Sequence, residues 1–217
     1  FYRDYVYQGP DRTRSSAGPR DGPKATGIRR GNRVDEELSK WANGHATKSK
    51  PHPYSSKVAA ALVKFGLQPV AGQVPVCDDD LRIATAVDVV CYDTKSGSYV
   101  LCEIKCGWNS GAYKKSSGNM HSVMRSFDNS PANQHQIQLA MTHYLFAVTF
   151  GTSTHESYVV RAADNGVHFY RLEDTVQKLI GRVCVKMADT KSGKRKRSRK
   201  ASAGAVSKRK GRRTSKR

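Results

Sequence analysis

Val34, Leu38 and Trp41 stand at i, i+4 and i+7, which makes one apolar face at the helical period. They predict a helix over about 32–42, ended by Asn43-Gly44. A polar linker with Pro51 and Pro53 leads to a second helical stretch, Val58–Phe65, stopped by Gly66. The pattern then changes to that of strands. Gln68–Val76 is the first, closed by the turn-prone Asp78-Asp79-Asp80, and Ile83–Tyr92 is the second. Asp93-Thr94-Lys95-Ser96-Gly97 reads as a hairpin turn with glycine available for a positive φ, and Ser98–Lys105 is the third strand. Gly107–Asn129 reads as a long polar loop, of a length that is often functional. Ala132–Phe150 is the longest helix, with Pro131 suited to its first turn. Ser157–Arg161 and Val167–Leu172 are two more strands about the turn Asp164-Asn165-Gly166, and Asp174 is placed to cap a last helix running to about Met187. The order α-α-β-β-β-α-β-β-α, with no internal repeat, predicts an α/β fold: a central mixed sheet flanked by helices, with the second and third strands paired as an antiparallel hairpin.

Two strands carry charge where apolar residues are expected. Asp88 sits inside Ala86-Val87-Asp88-Val89-Val90, and Tyr99-Val100-Leu101-Cys102-Glu103-Ile104-Lys105 carries two charges. Glu103 and Lys105 are two residues apart, so on a strand they share a face. Unpaired buried charge costs several kcal/mol, so such a set calls for a reason. Two carboxylates beside one ammonium suit a divalent cation and an activated water, which is chemistry for phosphodiester hydrolysis.

Charge along the chain adds a partner. The 217 residues include 38 Lys and Arg against 18 Asp and Glu, a formal charge of +20. The stretch 191–217 holds 14 of those basic residues and no acid, which leaves 24 basic against 18 acidic elsewhere, or +6. Three parts are expected: a Gly-, Pro-, Arg- and Ser-rich arm over 1–26, one folded domain over 27–188, and a basic disordered tail over 189–217. The tail clusters Lys194-Arg195-Lys196-Arg197 and Lys208-Arg209-Lys210, followed by Arg212-Arg213, read as nuclear localisation or nucleic-acid contacts. Nucleic acid is the simplest polyanionic partner, and location in a nucleus, a host nucleus or a virion is expected. No run reaches the roughly 18 apolar residues of a membrane span, and no signal-peptide pattern opens the sequence, so no membrane partner is expected. Five cysteines without a CxxC pair suggest a reducing compartment and neither a zinc ribbon nor an iron–sulfur cluster.

Asp88 in one strand and Glu103-x-Lys105 in the next resemble the PD-(D/E)xK nuclease superfamily. Two further segments resemble its RecB-like and lambda-exonuclease-like branch. Gly31-Asn32-Arg33-Val34-Asp35-Glu36 is similar to that branch's first-helix G-x-x-V-H-E, and Gln136-Ile137-Gln138, with Tyr144 beyond, is similar to its Gln-rich helix. The likeness spans roughly residues 27–150. This chain has Val87 where the family has Pro and Asp35 where the branch has His, and Tyr144 lies six residues after Gln138. The resemblance implies a restriction-endonuclease-like core and a Mg²⁺- or Mn²⁺-dependent DNA nuclease, of exonuclease or end-processing type in replication, recombination or repair. Asp88 and Glu103 would be metal ligands and catalytic residues, with the Ile104 carbonyl completing the shell. Lys105 would hold the nucleophilic water or stabilise the developing charge, and Gln138 would assist. Asp35, or Glu36 in its place, would hold a second metal or position a metal water; the two cannot both face the site, being about 100° apart on a helix. Arg29, Arg30 and Arg33, expected to precede the first helix, would contact nucleic-acid phosphates. Lys114 and Lys115, in the long loop, would do the same, as would Gln136 and Tyr144.

Plainer readings stand beside these. The three strand charges also suit a satisfied ion cluster, and Asp35, Glu36 and Glu37 suit first-turn acids that favour the helix macrodipole. Gln136 and Gln138 suit a helix surface, Tyr144 a core position, and the loop lysines a solvated loop. The alternative function is a catalytically silent nuclease-fold DNA-binding or packaging protein that acts through its tail. RNA as substrate is also left open.

Overall fold

The computed structural model describes residues 23–45, 50–107, 110–152, 154 and 156–188. The fold is α/β. A five-stranded mixed sheet, in the order β1-β2-β3-β4-β5, lies between two layers of helices. Helices α1 (Pro23–Ala42) and α2 (Pro53–Phe65) precede the strands. Strands β1 (Leu67–Asp78), β2 (Ile83–Asp93) and β3 (Ser98–Cys106) form an antiparallel meander. A short helix α3 (Ser110–Lys114) and a 3₁₀ turn (Ser122–Met124) lead to α4 (Pro131–Phe150). That crossover lets β4 (Glu156–Ala163) run parallel to β3, and β5 (Gly166–Arg171) returns antiparallel to β4. A last helix, α5, covers 174–188.

The alternation of strand side chains builds two cores. Val34, Leu38, Val58 and Leu62 of α1 and α2 cover Val89, Cys91, Val100, Cys102 and Ile104 on one face. Ile137, Leu139, Leu145, Val176 and Ile180 of α4 and α5 cover Val87, Val90, Leu101 and Val159 on the other. The helix ends follow their sequence signals. His52 Nδ1 accepts from the Tyr54 amide at 3.1 Å and Pro53 follows, while Gly66 ends α2 in the left-handed region at φ 87°. Ser130 Oγ accepts from the Asn133 amide at 3.3 Å, Pro131 follows, and Gly151 closes α4.

Three expectations change. Helix α1 begins at Pro23, not near Asn32, so Arg29, Arg30 and Arg33 lie on the helix and do not precede it. Its first turns have no apolar period, and Gly27 and Gly31 break the pattern. The stretch 107–129 is anchored, not a plain polar loop: Tyr113, Met120 and Met124 are buried, and Asn119 bridges to Asp128. Helix α5 already includes Asp174, which moves the cap position to Glu173, whose carbonyl accepts from the Gln177 amide at 3.0 Å. Of the expected arm over 1–26, residues 23–26 belong to α1, while 1–22 and the tail from 189 lie outside the described residues. Among the described residues no helix is long and apolar enough to cross a membrane.

Candidate active site

The β2–β3 ladder stops one residue short of the charged set. Its last pair is Val89 with Cys102, so Asp88 and Glu103 would be next. Instead the Asp88 side chain takes over the ladder: its Oδ2 accepts from the Ile104 amide at 2.8 Å. This anchors the carboxylate to β3 beside Glu103. Opposite Asp88 on β1, Gln73 adopts φ 54°, and its Nε2 donates to Asp88 Oδ1 at 3.3 Å.

Glu103 is only 2% exposed. Its Oε1 accepts from Lys105 Nζ at 2.6 Å and from Gln138 Nε2 of α4. Its Oε2 is buried and has no hydrogen-bond donor among the described residues, with the Asp88 carboxyl close enough to share a proton with Glu103. Burial, then the nearby charge of Asp88, pushes the Glu103 carboxyl up to about 7, against the lowering effect of Lys105. Burial also raises Asp88, against the lowering effects of Lys105 and the Ile104 amide. Burial alone would lower Lys105, but Glu103 and Asp88 outweigh it and hold its ammonium above the ordinary value.

Helix α1 supplies the fourth charge. Asp35 lies on the wall of a pocket of ≈ 560 Å³ with Arg30, Ile104 and Lys105. Burial, then Asp88, raises its carboxyl to about 6, and Lys105 opposes this. Glu36 points away and pairs with Lys40 at 2.6 Å, so Asp35 is the helix acid that faces the site. Glu37 is a structural group: it accepts from the His52 amide and Ser55 Oγ, both at 2.7 Å.

Arg30 reaches across the same pocket toward Gly107. A Cβ at Gly107 would stand 2.7 Å from Arg30 Nη2, and its φ is +93°, so glycine is needed there on both counts. The Arg30 guanidinium lies over the Tyr54 ring at 5.3 Å, and its Nε is buried without a hydrogen-bond partner. The other expected contacts divide. Arg33 pairs with Glu37 at 2.8 Å and donates to the Lys50 carbonyl. Arg29, Lys114 and Lys115 are exposed. Gln136 is turned into the fold: its Nε2 donates to the Arg171 carbonyl and its Oε1 accepts from the Glu173 amide, both at 3.0 Å. Tyr144 donates to Asp78 Oδ2 at 3.1 Å and packs at the core margin. Gln136 and Tyr144 therefore tie elements together. Lys194, Arg195, Lys196, Arg197, Lys208, Arg209, Lys210, Arg212 and Arg213 lie outside the described residues.

Sequence reasoning missed Gln73 and Arg161. Arg161 is fully buried in β4, paired in register with Lys105, with its guanidinium 5.0 Å from the centre of the Tyr113 ring. The signal was present: Arg161 interrupts the apolar run Tyr158–Ala163 as Asp88 interrupts its own strand. Next to it, His135 Nδ1 lies 3.2 Å from Tyr113 Oη. Burial, then Lys105, pushes His135 down to about 3, so it is neutral.

The donor chemistry fits a divalent cation. Asp88 and Glu103 offer hard oxygens, and the buried Glu103 Oε2 has no donor among the described residues. Among the described residues no group of three or more His, Cys, Asp or Glu side chains is drawn together to hold a metal. A cation between Asp88 and Glu103 would thus complete its shell with main-chain, water or substrate oxygens. Asp35 acts on the pair as charge across the pocket.

No protein-family model matches the chain. No curated protein matches it by sequence. Among solved structures, one described as "Crystal structure of SSO0001" is similar at 10% identity and a TM-score of 0.31, over 74% of this chain and 87% of that one.

Proposed function

We propose that this chain is a metal-dependent nuclease of the PD-(D/E)xK type, hydrolysing phosphodiester bonds in DNA with Mg²⁺ or Mn²⁺. The observation that carries this reading is the Asp88–Glu103–Lys105 set, with one buried carboxylate oxygen of Glu103 left without a donor among the described residues. A buried acceptor left so costs about 1–3 kcal/mol, which a proton shared with Asp88 would relieve in a plain ion cluster and a bound cation would relieve in a nuclease. The bound cation would polarise the scissile phosphate and lower the pKa of a water. Asp88 and Glu103 would hold it, and Ile104 would fix Asp88 through its amide. Lys105, kept protonated by its neighbours, is suited to stabilise charge on the phosphate oxygens. Gln138 holds the orientation of Glu103. Arg30, in the same pocket, suits a substrate phosphate. The basic segment 191–217 is consistent with DNA as partner and a nuclear setting.

The test is digestion of end-labelled linear and closed circular DNA in Mg²⁺ or in EDTA. Cleavage should depend on metal, and Asp88→Asn, Glu103→Gln and Lys105→Ala should each lower it at least about 10²-fold, the scale lost with one electrostatic catalytic group. Extra Mn²⁺ should partly rescue the carboxylate variants and leave Lys105→Ala unrescued, while all three still bind DNA. Tight binding by the wild type without cleavage of duplex, single-stranded or branched DNA would replace this reading with the packaging one.

A further inference from the structure

Helix α5 turns one face inward and leaves the other to solvent. Val176, Ile180, Val183 and Cys184 are buried against the sheet. Lys178, Arg182 and Lys186 recur at i, i+4 and i+8 on the opposite, exposed face. At 1.5 Å per residue they form a row of cations about 12 Å long. Gly181 sits within this row. A Cβ there would meet nothing within 4 Å, so packing does not require glycine, although mid-helix glycine costs about 1 kcal/mol relative to alanine. What glycine does is open a concavity of ≈ 660 Å³, lined by Lys178, Gly181, Arg182, Val185 and Lys186. The macrodipole favours a cation at Lys186 in the last turn, but Lys178 and Arg182 lie in the middle turns, where that effect has faded. In sequence, Glu173 and Asp174 precede the row, and from 175 to 217 there are 17 Lys and Arg and a single acid, Asp189.

We propose that the outer face of α5 is a second nucleic-acid site, which holds the phosphate backbone of duplex DNA in the Gly181 concavity. The row of charge and the open glycine suit a narrow, repeating anion that approaches the helix backbone closely. An anionic membrane suits it less, since Val185 is the only apolar side chain lining the concavity. The site needs no hydrolysis, so it stands or falls apart from the catalytic reading.

The experiment measures binding of the full chain to a fluorescent 30-base-pair duplex in EDTA across a salt series, beside Lys178→Ala/Arg182→Ala/Lys186→Ala. With roughly 0.9 in log–log slope per phosphate contact, the triple variant should lose about 2–3 from the slope. A control with Lys40, Lys64 and Lys95 changed to alanine should lose less than 1. Gly181→Glu, which fills the concavity with a helix-compatible carboxylate, should keep its melting temperature and lose at least tenfold in affinity. An unchanged slope in the triple variant, an equal loss in the control, or full affinity in Gly181→Glu would overturn the proposal. So would loss of binding to phosphatidylserine vesicles with DNA binding retained.

Discussion

Lys105 lies among three carboxyls, those of Glu103, Asp88 and Asp35, and each of them strengthens its hold on its proton. The carboxyls in turn are desolvated and repel one another, and this sets a pH response. Glu103 has an ordinary value of 4.5 and a folded value near 7. Its protonated form therefore stabilises the fold fully below pH 4.5, and that contribution is lost as pH rises through 7. Buried His135 is lowered and acts in the opposite sense, so the total pH curve mixes both effects. Comparing Glu103→Gln with the wild type isolates one term. In EDTA the melting temperature of Glu103→Gln should exceed that of the wild type at pH 8, and the gap should close toward pH 5. Adding Mg²⁺ at pH 8 should raise the wild type and leave the variant nearly unmoved. A gap independent of pH would show that Glu103 titrates normally. At this scale Asp88, Glu103 and Lys105 were legible because charge inside an apolar strand stands out, and Arg161 was legible by the same rule. The choice between Asp35 and Glu36 was not, because neighbours on a helix differ only in which one the sheet receives. Gln73 was hidden too, since a glutamine in an edge strand gives no signal until its backbone turns.

Between elements, α1 approaches β1 closely at Gly72. A Cβ there would stand 2.5 Å from Ser39 Cα. Asn43 locks the junction, donating from Nδ2 to the Gly72 carbonyl at 3.3 Å and accepting the Gly72 amide at 3.0 Å. Helix α1 carries Asp35 and Arg30 of the pocket, and the next strand residue, Gln73, touches Asp88, so this junction positions both the pocket's helix wall and the Asp88 carboxylate. Gly72→Ala should force the helix outward, cost about 1–3 kcal/mol as overpacking does, and lower cleavage more than the remaining folded fraction explains. Urea denaturation with parallel rate measurements checks both, and an unshifted midpoint would refute the contact. The hairpin and the long helix α4 were legible from period, turn residues and caps. The first turns of α1 were not, because their hold on the fold is Arg30 against the β3 end, a tertiary contact with no periodic trace. The anchoring of 107–129 was hidden for the same reason: Tyr113, Met120 and Met124 follow neither helical nor strand spacing.

Across the whole molecule, charge is divided by location. The carboxylates Asp88 and Glu103 sit at the β2–β3 split with Asp35 on the wall of the neighbouring pocket, while basic residues mark the face of α5 and the sequence beyond it. Deleting 191–217 should leave the fold intact, because the helices and strands that build the two described cores all lie before it. It should also leave hydrolysis of short DNA at low salt nearly unchanged and flatten the salt dependence of binding, through the release of fewer counterions. The same salt slope with and without the segment would count against it.

The sheet's outer strand has a further consequence. β1 is twelve residues long and among the described strands borders only β2; on its outer side Asn43 takes both main-chain groups of Gly72 and Thr149 Oγ1 both of Cys77, so at most the remaining groups are open to another extended chain. Pro69 and Pro75 lack the amide such pairing needs, the register shifts between Pro69 and Ala71, and Gln73 bends the strand between them. The kink that aims an amide at Asp88 also spoils the template for β-aggregation. A residue in a disfavoured conformation thus helps keep copies of this chain apart at high concentration.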